Sequence, residues 1–341
     1  MSQNQAAWLN ATAQPFEVGP APMPKPGPRQ LVIKSQTVAI NPADWKIQDW
    51  GSFITEYPYI LGIDVAGTVE EVGEGVTRFT KGQRVITHLQ GLRDRDAAQS
   101  SFQLYPLAAE NFTSAIPDSM SFEQAVVMPL AISTAASGLY LPQYLGLPYL
   151  PSSNPKPTGK TLLIWGGASS VGATTIQLAV ASGIEVITTA SPVNHDFVKS
   201  LGASVVFDYR SPSVVEDIVK ELEGRDFAGV YDAISEEPSF KPIAETLTRL
   251  GQQVKIAVVL PWNSPPEGLD PKFVLAYEIN SAPNEKVGDA VWGEFVPKAL
   301  AGGQLQAKPD PVVVGHGLND IQHGLEVHKA GVSAKKVVVT L

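Results

Sequence analysis

The stretch that decides the fold is KTLLIWGGASSVGATTIQLAVASGIEVITTAS, residues 160–191. An apolar run (161–165) ends at two glycines, a helix-like segment follows, and a second β-rich run (185–189) comes next. In a βαβ unit of this kind, the first turn lets the backbone approach a pyrophosphate, whose charge the helix N-terminus stabilises. Because strand and helix flank the glycines as the motif requires, we predict a dinucleotide site rather than a tight turn without a ligand. Its predicted residues are Gly166, Gly167, Ser169, Ser170, Val171 and Gly172.

The second strand of this unit lacks the acidic residue that an NAD site presents to the ribose 2′-hydroxyl about 20 residues after the glycines. The run EVITTAS ends at Ser191, and Asn194, His195 and Lys199 follow it. A carboxylate repels a 2′-phosphate, whereas a hydroxyl, an imidazole and a lysine do not. We therefore predict NADPH as the cofactor, with Tyr209 on its adenine side. The alternative interpretation of Lys199 is a solvated helix residue.

Outside this unit, the character of the sequence changes near residue 120. Before it, short β-rich runs separated by glycine turns, such as 31–40 and 65–72, predict a β-rich first domain. The segment 121–141 is typical of one long buried helix, and the proline-rich segment 141–160 of a connector. Strand and helix signals then alternate, which predicts a parallel sheet covered by helices on both faces. Strands are predicted at 161–165, 185–189, 204–209, 229–234, 252–260 and 272–279, with a last strand at 335–341.

The composition excludes several classes of protein. The 341 residues are 44% hydrophobic with a net charge of −9, which argues against nucleic-acid binding and against attraction to an anionic membrane. No apolar run reaches the ~20 residues of a membrane span, and residues 1–14 lack a signal-peptide pattern, so a cytoplasmic location is predicted. Because cysteine is absent and the five histidines lack metal-ligand spacing, no metal site is predicted.

Several segments resemble the medium-chain dehydrogenase/reductase superfamily. They are INPADWKIQDWG (40–51), PYILGIDVAGTVEEVGEGVTRFTKGQRVI (58–86), the dinucleotide unit and GVSAKKVVV (331–339), in that superfamily's order over essentially the whole chain. The resemblance implies an α/β protein with a GroES-like β-rich catalytic domain and a Rossmann domain that contains a doubly wound parallel sheet. It also implies a C-terminal return to the first domain. The implied domain boundaries are 1–125, 126–284 and 285–341.

Within that superfamily, the chain departs from the zinc alcohol dehydrogenases. Where they place a cysteine, it has NPAD (41–44), and where they place Gly-His-Glu, it has GID (62–64). Zinc acts there as a Lewis acid on a carbonyl oxygen, so alcohol oxidation loses its main electrophile. The remaining similarity is to zinc-free quinone and enoyl reductases, above all to fungal proteins of the CipB and ToxD types, which include trans-acting enoyl reductases of polyketide pathways. It implies a zinc-independent, NADPH-dependent reductase of an activated C=C bond or of a quinone, in fungal secondary metabolism.

The resemblance also implies roles for single residues. Lys46 is the predicted oxyanion donor or proton source, and the alternative is a lysine whose stem lies along an apolar surface. Asp44 is expected either in the active site or as the cap of a first helical turn. Phe53 stands near the position of the tyrosine acid of mitochondrial-type enoyl thioester reductases, so the proton source stays unassigned. The implied catalytic residues are Asn41, Asp44, Lys46 and Thr134, and the further cofactor residues are Trp45, Val258, Leu260, Ser333 and Lys335.

Two other functions and several partners stay open at this point. A zinc-free carbonyl reductase or alcohol dehydrogenase would need a strong donor such as Lys46. A dinucleotide-binding protein without a redox role would be compatible with serines, instead of the family's glycines, at 169 and 170. The predicted partner is a small-molecule substrate, whose pocket the loop 88–106 and the connector 141–155 are expected to wall. A polyketide synthase and a second copy of the chain are further candidates, the latter joined through an edge strand at 272–279 unless Asp270, Pro271 and Lys272 protect that edge.

Overall fold

A computed structural model describes residues 3–341, which form two compact units. The first unit contains the residues up to Leu130 together with Val296–Gly303 and Ala307–Leu341, and the second contains Ala131–Phe295 and Gln304–Gln306. The boundaries at 125 and 284 inferred from the resemblance stay a prediction. Within residues 3–341, no helix has the length and apolarity that crossing a membrane requires.

The strands and helices follow one another along the whole chain. The strands are β1 (Asn4–Leu9), β2 (Phe16–Ala21), β3 (Gln30–Ala39), β4 (Tyr59–Ile60), β5 (Asp64–Val72), β6 (Arg84–His88), β7 (Leu107–Ala109), β8 (Thr113–Ala115), β9 (Lys160–Trp165), β10 (Glu185–Ala190), β11 (Val205–Asp208), β12 (Asp226–Asp232), β13 (Ile256–Val258), β14 (Pro271–Phe273), β15 (Asp310–His316) and β16 (Lys335–Thr340). The α-helices are α1 (Pro42–Trp50), α2 (Gly91–Asp94), α3 (Phe122–Ala125), α4 (Pro129–Tyr140), α5 (Ser170–Ala181), α6 (His195–Ser200), α7 (Val214–Leu222), α8 (Glu237–Leu250), α9 (Glu285–Gly288), α10 (Val296–Ala301) and α11 (Ile321–Ala330), and Asp289–Phe295 forms a π-helix.

The first unit is built on two sheets. A small sheet has the order β2-β1-β4, and a larger one has the order β15-β16-β3-β5-β6-β8, with β7 paired to β3. The predicted runs 31–40 and 65–72 are β3 and β5, which pair antiparallel. Their apolar side chains bury one core together with residues of β16 and α11, for example Ile33, Val65 and Val339. This β-rich unit agrees with the predicted first domain.

The second unit contains one six-stranded sheet in the order β11-β10-β9-β12-β13-β14, and its pairs are parallel. Counted along the chain, this is the order 3-2-1-4-5-6 of a doubly wound dinucleotide-binding fold. The order reverses between β9 and β12, and ligands of such sheets bind beyond the strand ends at that point. A core that includes Leu163, Val230 and Ile243 packs against the sheet. The predicted fold class, α/β with a parallel sheet, is therefore confirmed.

The single long helix predicted at 121–141 is wrong, because the segment contains two helices. Ser121 caps α3, and its side chain accepts a hydrogen bond from the backbone N–H of Gln124. The second helix, α4, starts at Pro129, which has no backbone N–H to continue a preceding helix. Residues 126–128 therefore separate the two.

Two predicted strands are much shorter than expected. Only Ile256–Val258 of the segment 252–260 is a strand, and only Pro271–Phe273 lies in the ladder near 272–279. Beyond it, the N–H of Leu275 bonds to the hydroxyl of Tyr144 at 3.0 Å, and the carbonyl of Ala276 accepts from Ser137 at 3.2 Å. These side chains take the place of a neighbouring strand, and Ala276–Asn280 forms a 3₁₀ helix instead.

Candidate active site

The turn that joins β9 to α5 requires glycine at two positions. Gly166 has a φ of +81°, in the left-handed region, and a Cβ on it would lie 2.4 Å from Cγ1 of Ile234. A Cβ on Gly172 would lie 2.2 Å from the carbonyl oxygen of Gly166. The first turn of α5 therefore packs directly against the turn, which is the role of the third glycine in a dinucleotide fingerprint.

The remaining residues of the turn prepare an anion site at the helix start. Ser169 is the N-cap of α5, and its Oγ accepts a hydrogen bond from the N–H of Gly172 at 3.0 Å. The amides of Ser170 and Val171 lie in the first turn, where an α-helix offers its N–H groups no internal acceptor. Gly167 holds the turn on the sheet, since its N–H donates to the carbonyl of Thr189 at 3.0 Å. This arrangement fits a pyrophosphate.

Polar residues without a carboxylate follow the end of β10. Ser191 is buried, and its Oγ accepts from the side-chain amide of Asn194 at 3.0 Å. The Nε2 of His195 lies 3.2 Å from the carbonyl oxygen of the last residue of β10. Lys199 is exposed on α6, and the nearest acidic residue along the chain, Asp196, is exposed in the first turn of that helix. Ser191, Asn194 and His195 therefore lie together at the end of β10, and Lys199 lies near the end of the helix that follows.

Tyr209 lies at the same edge of the sheet. The parallel register pairs Ala190 with Asp208, so the residues that follow β10 and β11 emerge side by side. Tyr209 is 43% exposed. Arg210 donates a hydrogen bond to the Tyr209 hydroxyl at 3.1 Å, and the Arg210 guanidinium lies 5.2 Å from the ring centroid. This pair provides a flat, positively charged surface beside Ser191.

The strand ends on the other side of the reversal point are fixed by buried polar contacts. Asp232 ends β12, and its Oδ1 accepts from the N–H of Ser235 at 2.9 Å. Burial raises the pKa of Asp232 to about 6, although its hydrogen bonds oppose the shift. Val258 is buried at the end of β13, and Leu260 is half-buried just beyond it. Thr134 is buried in α4, and its carbonyl accepts from Tyr231 at 2.8 Å.

In the first unit, the predicted residues Asn41 and Asp44 form one half of a capping box at the start of α1, since the Asn41 side chain makes no capping hydrogen bond. The Oδ2 of Asp44 accepts from the backbone N–H of Asn41 at 2.7 Å, and Asp44 Oδ1 is buried without a hydrogen-bond partner among the described residues. Burial raises the pKa of Asp44 to about 7, and the charge of Asp64 adds to the shift. The capping role proposed for Asp44 from sequence is thus present in the structure.

Lys336, which we did not predict, lies beside this box. Its side chain is buried, and its ammonium lies 2.5 Å from Oδ1 of Asn41 and 3.3 Å from Oδ2 of Asp64. Asp64 Oδ2 also accepts from Nδ2 of Asn41 at 2.9 Å, and Oδ1 from the N–H of Leu130 at 2.7 Å. Burial raises the pKa of Asp64, and Lys336 is the main opposing influence. Lys336, Asn41, Asp64 and Asp44 are called the Lys336 network below.

The other predicted residues of the first unit lie on its surface. Lys46 is half-buried, with its ammonium 5.5 Å from the ring centroid of Trp45 and 5.9 Å from that of Trp50. This is cation–π geometry, which holds the charge near the aromatic faces. Ser333 and Lys335 are exposed, and Lys335 lies 3.5 Å from the carboxylate of Asp310.

A cavity of about 440 Å³ opens along the loop that was expected to wall the substrate pocket. Residues 53–59 form one side of it and residues 95–97 the other. Phe53 is 68% exposed, and Phe53 and Arg95 both have left-handed backbones, with φ of +69° and +54°. Non-glycine residues in that region cost free energy and cluster at functional sites. The hydroxyl of Tyr59 donates to the carbonyl of Gly91 at 2.7 Å and so ties the two sides together.

A doubly wound sheet with this turn at its first strand defines a dinucleotide-binding protein. Comparison with known families shows the class in more detail: residues 27–129 match the alcohol dehydrogenase GroES-like domain, and residues 170–281 match the zinc-binding dehydrogenase domain. The chain is 45% identical over 339 residues to the trans-enoyl reductase himH of Aspergillus japonicus. This alignment covers 99% of this chain and 97% of that protein. It is 38% identical over 340 residues to the zinc-binding alcohol dehydrogenase domain-containing protein cipB of Emericella nidulans, covering 99% and 98%.

Among solved structures, the CurK enoyl reductase has a similar fold, with a TM-score of 0.76 at 21% identity over 99% of both chains. The chain belongs to the medium-chain dehydrogenase/reductase superfamily and is an oxidoreductase of the enoyl or quinone reductase type. The resemblance stated from sequence is therefore confirmed.

The zinc named in the second family description does not fit the residues present. Zinc sites in proteins use cysteine, histidine and carboxylate ligands. Among residues 3–341, no three such side chains are grouped to hold a metal ion. At the Lys336 network, the ammonium of Lys336 already lies against Asp64 and Asn41. A second cation there would be repelled by the first.

Proposed function

We propose that this chain is a zinc-independent, NADPH-dependent reductase of an α,β-unsaturated carbonyl compound in fungal secondary metabolism. The observation that carries the proposal is the 45% identity to a trans-enoyl reductase over 99% of the chain. When bound, the cofactor supplies a hydride for the β-carbon of the acceptor, and negative charge develops on the carbonyl oxygen. A proton from solvent at the α-carbon completes the reduction.

The cofactor would be held by the turn at 166–172 and by the residues after β10. The first-turn amides of α5 bind the pyrophosphate, and the glycines let the backbone approach it. Ser191, Asn194 and His195 provide hydrogen-bonding groups for a 2′-phosphate, and Lys199 adds a positive charge. The preference for NADPH follows from the absence of a carboxylate at positions 191–195.

On the acceptor side, the residue proposed to stabilise the developing oxyanion is Lys46. Its ammonium lies 5.5 Å and 5.9 Å from the ring centroids of Trp45 and Trp50, and attraction to these rings limits its movement. A fixed donor is effective because it needs no reorganisation when charge develops on the oxygen. The cavity beside Phe53 and Arg95 is proposed to receive the rest of the acceptor.

The cofactor assignment is tested by fluorescence titration with NADPH and NADH. Wild type is expected to bind NADPH more tightly than NADH. The variant Ser191→Asp places a carboxylate at the end of β10, so it is expected to lose affinity for NADPH and to keep or gain affinity for NADH. Ser264→Asp is the matched control, because it adds the same charge at an exposed position of the same unit. Equal binding of the two nucleotides by wild type would refute the preference.

The reaction is tested by following NADPH oxidation with a 2-enoyl thioester, a quinone and an aldehyde as separate acceptors. Turnover with the enoyl thioester is expected, and Lys46→Met is expected to lower kcat about 100-fold, the usual effect of removing an oxyanion donor. Lys25→Met, which removes an exposed lysine, is the control. Turnover with the quinone alone would assign the chain to the quinone reductases, and turnover with the aldehyde alone to the carbonyl reductases. No turnover with any acceptor would refute the redox role.

A further inference from the structure

Lys336 is the one lysine or arginine among residues 3–341 that is buried. A buried ammonium is unfavourable unless charges and hydrogen bonds offset its lost hydration. Asp64 provides the opposite charge at 3.3 Å, and Asn41 provides a carbonyl oxygen at 2.5 Å. Both partners are buried as well. Removing one partner of such a buried pair leaves an uncompensated buried charge, so each partner depends on the others.

The network fixes the orientation of the Asn41 side chain. Its Oδ1 must face Lys336, because an ammonium only donates, and its Nδ2 must face Asp64, because a carboxylate only accepts. Without Lys336, the Oδ1 of Asn41 would lose its hydrogen-bond donor, and the amide group could rotate. Lys336 and Asp64 thus hold Asn41 from both ends of its amide group.

The backbone of Asn41 connects this network to α1, since its side chain makes no capping hydrogen bond. Asn41 is the N-cap residue of that helix, and its backbone N–H is held by the carboxylate of Asp44. One and two residues further along the helix come Trp45 and Lys46. An anchored first turn therefore fixes the direction in which α1 presents these two side chains.

We infer that Lys336 is a positioning residue, a cation built into the chain that orients Asn41 and the start of α1 for the acceptor reaction. Its ammonium occupies the oxygens of Asn41 and Asp64 that would otherwise be open to a cation. The inference rests on the proposed function, because it assigns the anchored helix to the acceptor side of that reaction.

The test compares Lys336→Met, which removes the charge and keeps much of the volume, with Lys336→Arg, which keeps the charge. Lys336→Met is expected to lower kcat/KM for the enoyl thioester about 100-fold, as small misplacements of reacting groups do. Its affinity for NADPH should fall much less than kcat/KM, because the turn at 166–172 lies in the other unit. Lys336→Arg should recover part of the activity, and Lys25→Met should behave as wild type. Wild-type activity in Lys336→Met would overturn the inference.

Hydrogen–deuterium exchange gives a second measurement that needs no turnover. Lys336→Met is expected to exchange faster than wild type in peptides from 41–50, with peptides from 170–181 unchanged. Unchanged exchange at 41–50 would overturn the inference even if the proposed function holds. Conversely, faster exchange in a chain that reduces no acceptor would refute the proposed function and leave the anchoring in place. If Lys336→Met does not fold, Lys336→Leu is used, which likewise offers Asn41 neither a donor nor a charge, and the same outcomes apply.

The zinc content of the purified wild type is a third measurement. Elemental analysis after dialysis is expected to find no stoichiometric zinc. One zinc ion per chain that is lost in Asp64→Asn would overturn the inference, because the metal would then occupy the place assigned to Lys336.

Discussion

The packing of α5 against the glycine turn makes a quantitative prediction for Gly172→Ala. The added Cβ would lie 2.2 Å from the carbonyl oxygen of Gly166 and 2.9 Å from Cα of Gly167. Ordinary contact begins at 3.4 Å, so the helix start and the turn must separate by about 1.2 Å (3.4 minus 2.2). Overpacking of this kind costs about 1–3 kcal/mol, whereas the higher helix propensity of alanine returns up to about 1 kcal/mol. We expect a net loss of stability of about 1–2 kcal/mol and weaker NADPH binding.

The assay is urea unfolding followed by tryptophan fluorescence, together with titration of NADPH. Gly293→Ala is the matched control, because Gly293 lies in the same unit and a Cβ there would meet no atom within 4 Å. The control is expected to keep the wild-type unfolding midpoint or raise it slightly, with unchanged NADPH affinity. If Gly172→Ala is as stable as Gly293→Ala and binds NADPH as tightly as wild type, the close packing at the turn is not what makes glycine necessary there.

Two further predictions concern the first unit. Because burial raises the pKa of Asp44 to about 7, from 3.8 when unfolded, the folded chain holds an extra proton between these values and its stability falls as the pH rises through that range. Asp44→Asn has no carboxyl to titrate here, so its free energy of unfolding minus that of wild type should rise by up to about 4 kcal/mol between pH 4 and pH 8. Urea unfolding measures this difference, and a difference that is constant over the pH range would contradict the raised pKa. Phe53→Asn places a residue that tolerates the left-handed region at a φ of +69°, so it should stabilise the chain by about 1 kcal/mol. It should also raise KM for the acceptor, since it removes an aromatic wall of the cavity, and an unchanged KM would exclude the acceptor from that cavity.

The glycine turn at 166–172 could be predicted from sequence because its requirements are local. Gly166 is needed because its φ is positive, and Gly172 is needed because it contacts Gly166, six residues earlier. Both requirements leave glycines at a fixed spacing in the sequence. The parallel sheet was predictable for a similar reason, since strands covered on both faces are apolar throughout. The alternation of strands and helices along the chain likewise predicted that these strands are parallel, as they are in the sheet.

Lys336 could not be predicted, because the sequence does not distinguish it from Lys335. In β16 the three valines after it are all buried, so no alternation of apolar and polar residues shows which lysine points inward. The available signal was Asp64, a charged residue at the start of the buried strand β5, which needs an opposite charge nearby. The segment 272–279 was mispredicted for a related reason: the hydroxyls of Tyr144 and Ser137, more than 130 residues away, bind its backbone instead of a strand.

The contact between Lys336 and Asn41 also has a consequence for how the protein is made. The two residues are 295 positions apart in the chain, yet β16 pairs with β3 inside one sheet. During synthesis, the ribosome adds β3 and α1 early, and they must wait while the whole second unit is translated before their partner strand exists. The second unit, whose sheet is formed by one continuous stretch of chain, has no such delay. The second unit can therefore fold on the ribosome, whereas the first unit, which carries Lys46, is completed only after β16 has emerged. A prematurely ended chain would contain the glycine turn at 166–172 without a completed first sheet.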